Sequence, residues 1–339
     1  MIRDKKRIKG GAMDLTKEQK IRLYTNLVRV RKLDETMVKA LLTGKISTFF
    51  HSGEGQEAVG VGACSFLRED DYLFPSHRGH AISKTLIKGL PARIILAEHY
   101  GRITGCCDGV SGFHTCDMKL GIPGMSGTLG GHFPLAVGMG LAAQLRGKKQ
   151  VVMVIEGEGT YARGTFHESM IMAATWKLPN LFIVENNQIM GNTPVKIIHP
   201  KDDFADLGFG YGVPAKVVDG QDVFAVHKEV QTAIDRARAD EGPSLIECKT
   251  YRIQPHAVGL PDTLLGRPRT QEEIEVWRKR DPIKLAQKRL LKEGVLTQVD
   301  IEKIDGGAAN EMEEADRLAW ADPMPTDPKE ILKKALYAE

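Results

Sequence analysis

Two short apolar runs in this chain end in residues suited to holding an anion and a cation together. Val151–Ile155 runs into Glu156-Gly157-Glu158-Gly159, and a helical pattern begins after Gly164. Leu181–Val184 runs into Glu185-Asn186-Asn187, which places Asn187 29 residues after Glu158. Ligands of open parallel sheets bind beyond the carboxyl ends of strands, where helix amino termini offer free N–H groups to anions. A diphosphate suits such a place. An acidic residue among the glycines makes sense there if a divalent cation bridges it to phosphate. If the two runs are neighbouring strands, the Glu158 carboxylate and the Asn187 amide oxygen meet at one sheet edge. With phosphate oxygens, a backbone carbonyl and water they complete the octahedral oxygen shell of magnesium, about 2.0–2.1 Å in radius.

The elements that must position these residues follow from apolar spacing. Leu23, Leu27, Val30, Met37, Val38, Leu41 and Leu42 recur at helical intervals and predict a long amphipathic helix from Asp14 to about Gly44, capped by Asp14 or Thr16. Gln56–Leu67 reads as a helix of small residues, and Tyr72, Leu73 and Phe74 as a short apolar strand. Between Gly101 and Gly131 glycine is dense and periodicity vanishes, the signature of loop backbone that approaches a ligand or takes unusual dihedrals. Pro134–Leu145 then reads as a buried helix, Thr165–Trp176 as a second, and Ala215–Val218, Val223–Ala239 and Ser244–Cys248 as strand, helix and strand. This alternation predicts an α/β fold, a mainly parallel sheet with helices on both faces and helical extensions at both ends. The expected organisation is an arm over residues 1–13 without structure of its own, followed by one domain over 14–339, although roughly 150 residues per domain would allow two.

Composition narrows the function classes. Hydrophobic residues make up 42% and charged residues 27% of the 339, and no stretch approaches the roughly 18 apolar residues of a membrane helix. The net charge of +3 comes from 47 basic and 44 acidic residues spread along the chain, too small an excess to argue for a nucleic-acid partner. The basic cluster Arg3, Lys5, Lys6, Arg7 and Lys9 has no apolar segment behind it, so a secretory leader is not expected. Five cysteines is an odd number without a disulfide framework, which predicts a reducing, cytoplasmic setting. Cys106, Cys107, His114 and Cys116 lie close together, but adjacent cysteines do not match zinc-ligand spacing, and free thiols are expected. Trp176 and Trp277 are expected to pack. The charges from Glu272 to Arg280 are expected to form a solvated helix face with i, i+4 pairs.

Gly157-Glu158-Gly159, Gly164, Phe166-His167-Glu168, Trp176-Lys177-Leu178-Pro179 and Glu185-Asn186-Asn187 together resemble the thiamine-diphosphate motif of the alpha subunits of pyruvate, branched-chain and acetoin dehydrogenase complexes. The likeness runs from Leu23-Tyr24 through Gly55-Gln56-Glu57-Ala58 and Asp70-Asp71-Tyr72 to Thr250-Tyr251-Arg252 and Arg280-Asp281-Pro282. By position it implies that Glu158, Asn187 and the Ile189 carbonyl hold magnesium, while Gly157, Gly159 and Thr160 meet the diphosphate. It implies that His77 and Arg78 reach the diphosphate, that backbone at Gly127 and Leu129 meets the aminopyrimidine, and that His256, in a loop beside the cofactor, donates a hydrogen bond to phosphate or shuttles a proton.

The resemblance also implies an activity and partners. The chain is expected to act with a beta subunit, which supplies the carboxylate at the cofactor's pyrimidine, in an α2β2 heterotetramer. The pair decarboxylates a 2-oxo acid, pyruvate in the first instance, or cleaves acetoin, and passes the fragment to a lipoyl-bearing acyltransferase. Two other readings are a scaffold paralogue without productive cofactor geometry and one half of a split transketolase. Several positions depart from the family pattern. Glu158 stands where aspartate is usual, Pro255 stiffens the loop before His256, and Ala257 replaces the serine whose phosphorylation controls the mitochondrial enzymes. Ser111-Gly112-Phe113-His114 replaces a more glycine-rich loop, and Arg163 a small polar residue.

Overall fold

The computed structural model describes residues 15–125, 127–327 and 329. The expected arm over residues 1–13 lies outside them. Five strands build one parallel sheet: β1 (Tyr72–Phe74), β2 (Val152–Gly157), β3 (Asn180–Asn186), β4 (Ala215–Asp219) and β5 (Ser244–Lys249). Their order is β1-β2-β3-β5-β4, all parallel, so the predicted α/β class holds. Strands β2 and β3 are buried along almost their whole length. That is why their sequences read as continuous apolar runs rather than alternating ones.

Alternation still decides which face each side chain serves. Val152 and Val154 join Phe133, Tyr161, Phe166 and Phe182 on one face, while Met153 and Ile155 join Val59, Leu181, Val226 and Ile246 on the other. Each such side chain contributes roughly 1.5–3 kcal/mol by leaving water. The last strand, β4, is an edge strand and mostly exposed.

The first helix spans Lys17–Leu42, and Thr16 is its cap, completing a capping box with Gln19. It buries Leu23, Leu27, Val30, Leu33 and Met37 against the helix Gln298–Ala321 and its neighbours. From this helix Asp34 accepts the Ser52 hydroxyl at 2.6 Å and the Gly53 N–H at 2.8 Å, which fixes the loop that leads to the cavity described below.

Several expectations need correction. The helix His132–Arg146 is not buried all round: Leu135 and Leu145 are 59% and 78% exposed, because only its Phe133, Ala136, Val137, Gly140 and Ala143 side packs on the sheet. Small residues permit close packing but do not require it on every side. Trp176 is 45% exposed, whereas Trp277 does pack, stacked on Tyr251 at 5.2 Å between centroids. The charges after Glu272 do not form i, i+4 pairs. The helix ends at Arg278, Glu275 and Arg278 pair at i, i+3, and Arg280 reaches Asp219 at 2.6 Å. Finally, a single helical turn, Glu158–Tyr161, precedes the helix Gly164–Thr175. No helix among the described residues is long and apolar enough to cross a membrane.

Candidate active site

Strands β2 and β3 are neighbours, with Gly157 in register with Glu185. Glu158 and Asn187 therefore leave the sheet side by side, and the Asn187 backbone N–H donates to Glu158 Oε2 at 3.2 Å. The Asn187 side-chain oxygen accepts the Ile189 N–H at 3.2 Å, which turns the chain into the hairpin of Ile189–Met190 with Thr193–Pro194. The first N–H groups of the turn Glu158–Tyr161 have no partner within the turn itself, and its cap residue Gly157 has no side chain to serve them.

These strand ends open into a cavity of about 460 Å³. All eleven residues singled out in the sequence line it: His77, Arg78, Gly127, Leu129, Gly157, Glu158, Gly159, Thr160, Asn187, Ile189 and His256. The residues that sequence reasoning passed over are Phe49, His51, Ser76, Phe113, Glu185, Met190 and Gly191. Phe49 and Phe113 carry no chemical signature in a sequence; they become visible only once folding brings them together, tilted, with ring centroids 5.3 Å apart, beside the histidines.

The segment Ser76–Ala81 is not a basic surface loop. Arg78 and His80 are 4% and 1% exposed. Gly79, His80 and Ala81 have consecutive positive φ angles of 65°, 45° and 63°. Left-handed backbone costs a non-glycine residue roughly 1–2 kcal/mol, so the surroundings must hold it. Gly79 N–H bonds the His51 carbonyl at 2.7 Å, and His51 and His80 face each other at 3.1 Å through Nδ1 and Nε2. Beneath, the buried Lys84 ammonium pairs with Glu185 at 2.8 Å and also donates to the Arg78 carbonyl. Ser76 donates to the same Glu185 carboxylate at 2.8 Å.

His256 is half-buried rather than a free surface residue. Its carbonyl accepts Arg78 Nη1 at 2.9 Å, and its Nδ1 faces Arg78 Nη2 at 3.2 Å and Arg252 Nη1 at 3.4 Å. Burial, then the two guanidinium groups, pull its pKa down to about 4. The ring is neutral, with Nδ1 as acceptor and the proton on Nε2.

The charged groups at the cavity indicate what it can hold. Burial, followed by the repulsion of Arg252, lowers the Arg78 guanidinium to about 10; burial, followed by Arg269, does the same to Arg252. Arg78 Nε, Arg252 Nε and Nη2, and His77 Nδ1 are buried without a hydrogen-bond partner, and Asp262 is 3.8 Å from Arg252 Nη2. Orphaned donors of this kind are costly unless an anion meets them. On the facing side, burial raises the Glu158 carboxyl to about 7. Anion-seeking and cation-seeking groups thus share one cavity, and they fit a diphosphate bridged by a divalent metal.

A model of the family described as "dehydrogenase E1 component" matches residues 24–327. The chain belongs to this family. It is 34% identical over 323 residues to the alpha subunit of acetoin:2,6-dichlorophenolindophenol oxidoreductase of Bacillus subtilis, covering 95% of each chain. It is 35% identical over 324 residues to the Cupriavidus necator protein of the same name, covering 95% of this chain and 96% of the relative. The chloroplastic pyruvate dehydrogenase E1 alpha-3 subunit of rice is 33% identical over 336 residues, covering 96% of this chain and 77% of the rice protein. The expected class, a thiamine-diphosphate-dependent oxidoreductase of the pyruvate or acetoin dehydrogenase type, is met. Neither the scaffold nor the split-transketolase reading gains support from these relatives.

Proposed function

We propose that this chain is the cofactor-diphosphate half of an active site completed by a beta subunit, and that the assembled α2β2 enzyme cleaves pyruvate or acetoin. The observation that carries the proposal is that the buried Glu158 carboxyl and Arg78, whose buried Nε has no partner, line the same cavity. Glu158, the Asn187 side-chain oxygen and the Ile189 carbonyl would hold magnesium. His77, Arg78 and the N–H groups of Gly159 and Thr160 would hold the diphosphate. Gly127 and Leu129 would flank the aminopyrimidine. Thiamine diphosphate bound there would supply the nucleophilic carbon and electron sink needed to break a carbon–carbon bond beside a carbonyl.

The chain's own residues then have distinct tasks. Arg78 and Arg252 keep His256 neutral, so its Nε2–H can donate a hydrogen bond to phosphate. Phe49 and Phe113 shield the mouth from water. Lys84 holds Glu185 and the Arg78 backbone in place. A lipoyl-bearing acyltransferase is the proposed acceptor of the fragment. The five free cysteines accord with the cytoplasm as the compartment.

The test is calorimetry on the chain co-purified with its beta partner. Magnesium-dependent thiamine-diphosphate binding is expected, with Glu158→Ala weakening it at least ~100-fold, as loss of a charged ligand does. Unchanged binding in that variant would remove Glu158 from the metal site. A screen of pyruvate, branched-chain 2-oxo acids and acetoin with an artificial electron acceptor then decides the substrate.

A further inference from the structure

Outside the cavity, the structure builds a second reactive feature around Glu98. This carboxylate is 1% exposed and accepts the backbone N–H groups of Cys107 (2.8 Å), Gly109 (3.0 Å), Ser111 (2.8 Å) and Gly112 (3.2 Å), together with the Ser111 hydroxyl (2.9 Å). One side chain therefore folds the whole loop, which leads directly into Phe113 at the cavity wall. Cys106 and Cys107 sit on it as adjacent free thiols, neither of them fully buried, with their sulfurs and a Glu98 oxygen all within 4.8 Å of one another. Glu98 is already saturated by donors, which argues against its giving an oxygen to a metal, and the zinc reading of this cluster gains nothing from the geometry.

The two thiols are not equivalent. Cys106 packs against the hydrophobic core beside the Glu98 carboxylate, which favours its neutral form. The neighbouring Cys106 thiol, which outweighs partial burial, and then Ser111 and the Cys116 backbone lower the pKa of Cys107. Cys107 is thus a thiolate-prone sulfur with a protonated neighbour, the arrangement that makes a thiol sensitive to oxidation.

We infer that Cys106–Cys107 is an oxidative modification site for hydroperoxides, closing to a vicinal disulfide that releases the Glu98-bound loop. The Cys107 thiolate attacks the peroxide O–O bond; Cys107 becomes a sulfenic acid, and the peroxide is reduced to water or an alcohol. The Cys106 sulfur then attacks the sulfenic sulfur, the S–S bond forms, and hydroxide leaves with the Cys106 proton as water. Adjacent Cα atoms are about 3.8 Å apart, below the roughly 4.4–6.8 Å that disulfides prefer. The ring therefore twists the Cys106–Cys107 peptide, pulls the Cys107 N–H off Glu98, and is readily reduced again by a thiol. Through Phe113 the change reaches the cavity, an effect that rests on the cofactor reading above; the thiol chemistry does not.

The experiment treats the complex with its partner subunit with hydrogen peroxide, then maps peptides by mass spectrometry and follows hydrogen exchange at the loop amides. The expected product is a Cys106–Cys107 peptide lighter by about 2 Da, two hydrogens, with faster exchange at Cys107, Gly109, Ser111 and Gly112 that dithiothreitol reverses. Cys106→Ser is expected to leave a dimedone-reactive Cys107, and Cys107→Ser to abolish the reaction. A disulfide to Cys116 instead, oxidation of Cys107 no faster than Cys116, or a disulfide that leaves the loop amides protected would overturn the inference. Weakened thiamine-diphosphate binding after oxidation tests the link to the cavity separately.

Discussion

Arg78 grips His256 at two atoms, donating to its carbonyl at 2.9 Å and facing its Nδ1 at 3.2 Å, across 178 residues of chain. A guanidinium cannot accept, so the ring nitrogen it faces must. The histidine is held in one tautomer before any ligand arrives.

Nitrogen-detected NMR of the unliganded chain should therefore show His256 neutral and protonated on Nε2 between about pH 6 and 8. Its depressed pKa, about 4, means that protonation sets in only well below this range. Arg252→Met removes one of the two cations and should move that pKa upward. A wild-type midpoint near the ordinary histidine value would contradict the arrangement.

Magnesium-linked cofactor binding should weaken as pH falls below 7. Glu158 is raised to about 7 in the folded chain from 4.5, so the metal must displace a proton over that window. The limiting slope is about tenfold in affinity per pH unit, one proton. In the unliganded protein the sign is opposite: this group's contribution to stability is complete below pH 4.5 and is lost as pH rises through 7. Titrations in buffers of different ionisation enthalpy count the proton released.

Lys84→Met should destabilise the chain by about 3–5 kcal/mol, because it strands Glu185 as an unpaired buried charge. Lys84 and Glu185 are 1% and 2% exposed, so solvent screens the pair little. Adding Glu185→Gln should recover part of the loss, which urea unfolding of the single and double variants measures.

Gly159→Ala should impair cofactor binding more than folding. A Cβ there would lie 2.3 Å from Met190 Cγ and 3.0 Å from its Cβ, so Met190 must swing toward the cavity that it lines. Met190→Ala in the same chain should restore much of the affinity; failure of the double variant to do so would mean that the Gly159 backbone itself needs glycine.

Much of the architecture is written locally. Runs such as Val152–Ile155 and Leu181–Val184 are apolar on both faces because the sheet buries both, and that pattern alone predicts central parallel strands. The spacing from Glu158 to Asn187 encodes one crossover and so places both residues at one sheet edge. Motif likeness carried His77, Arg78, Gly127, Leu129 and His256 to the same cavity before any coordinates.

Other features depend on residues distant in sequence, and no local pattern encodes them. Small residues suggested that the helix His132–Arg146 is buried, but only the sheet beneath it determines which side is covered. Motif likeness marks Arg252 in Thr250-Tyr251-Arg252 without a role, and only folding sets its unpartnered donors behind His256. Phe49 and Phe113 wall the cavity through one tilted ring contact, and Glu98 gathers a loop that glycine content alone marked as irregular. The sequence by itself determined the strands, the motif and the side-by-side placement of Glu158 and Asn187, because short-range periodicity and spacing encode them. Tertiary structure alone decided burial, charge balance and the unpartnered donors, because those arise from groups brought together across the chain and removed from water.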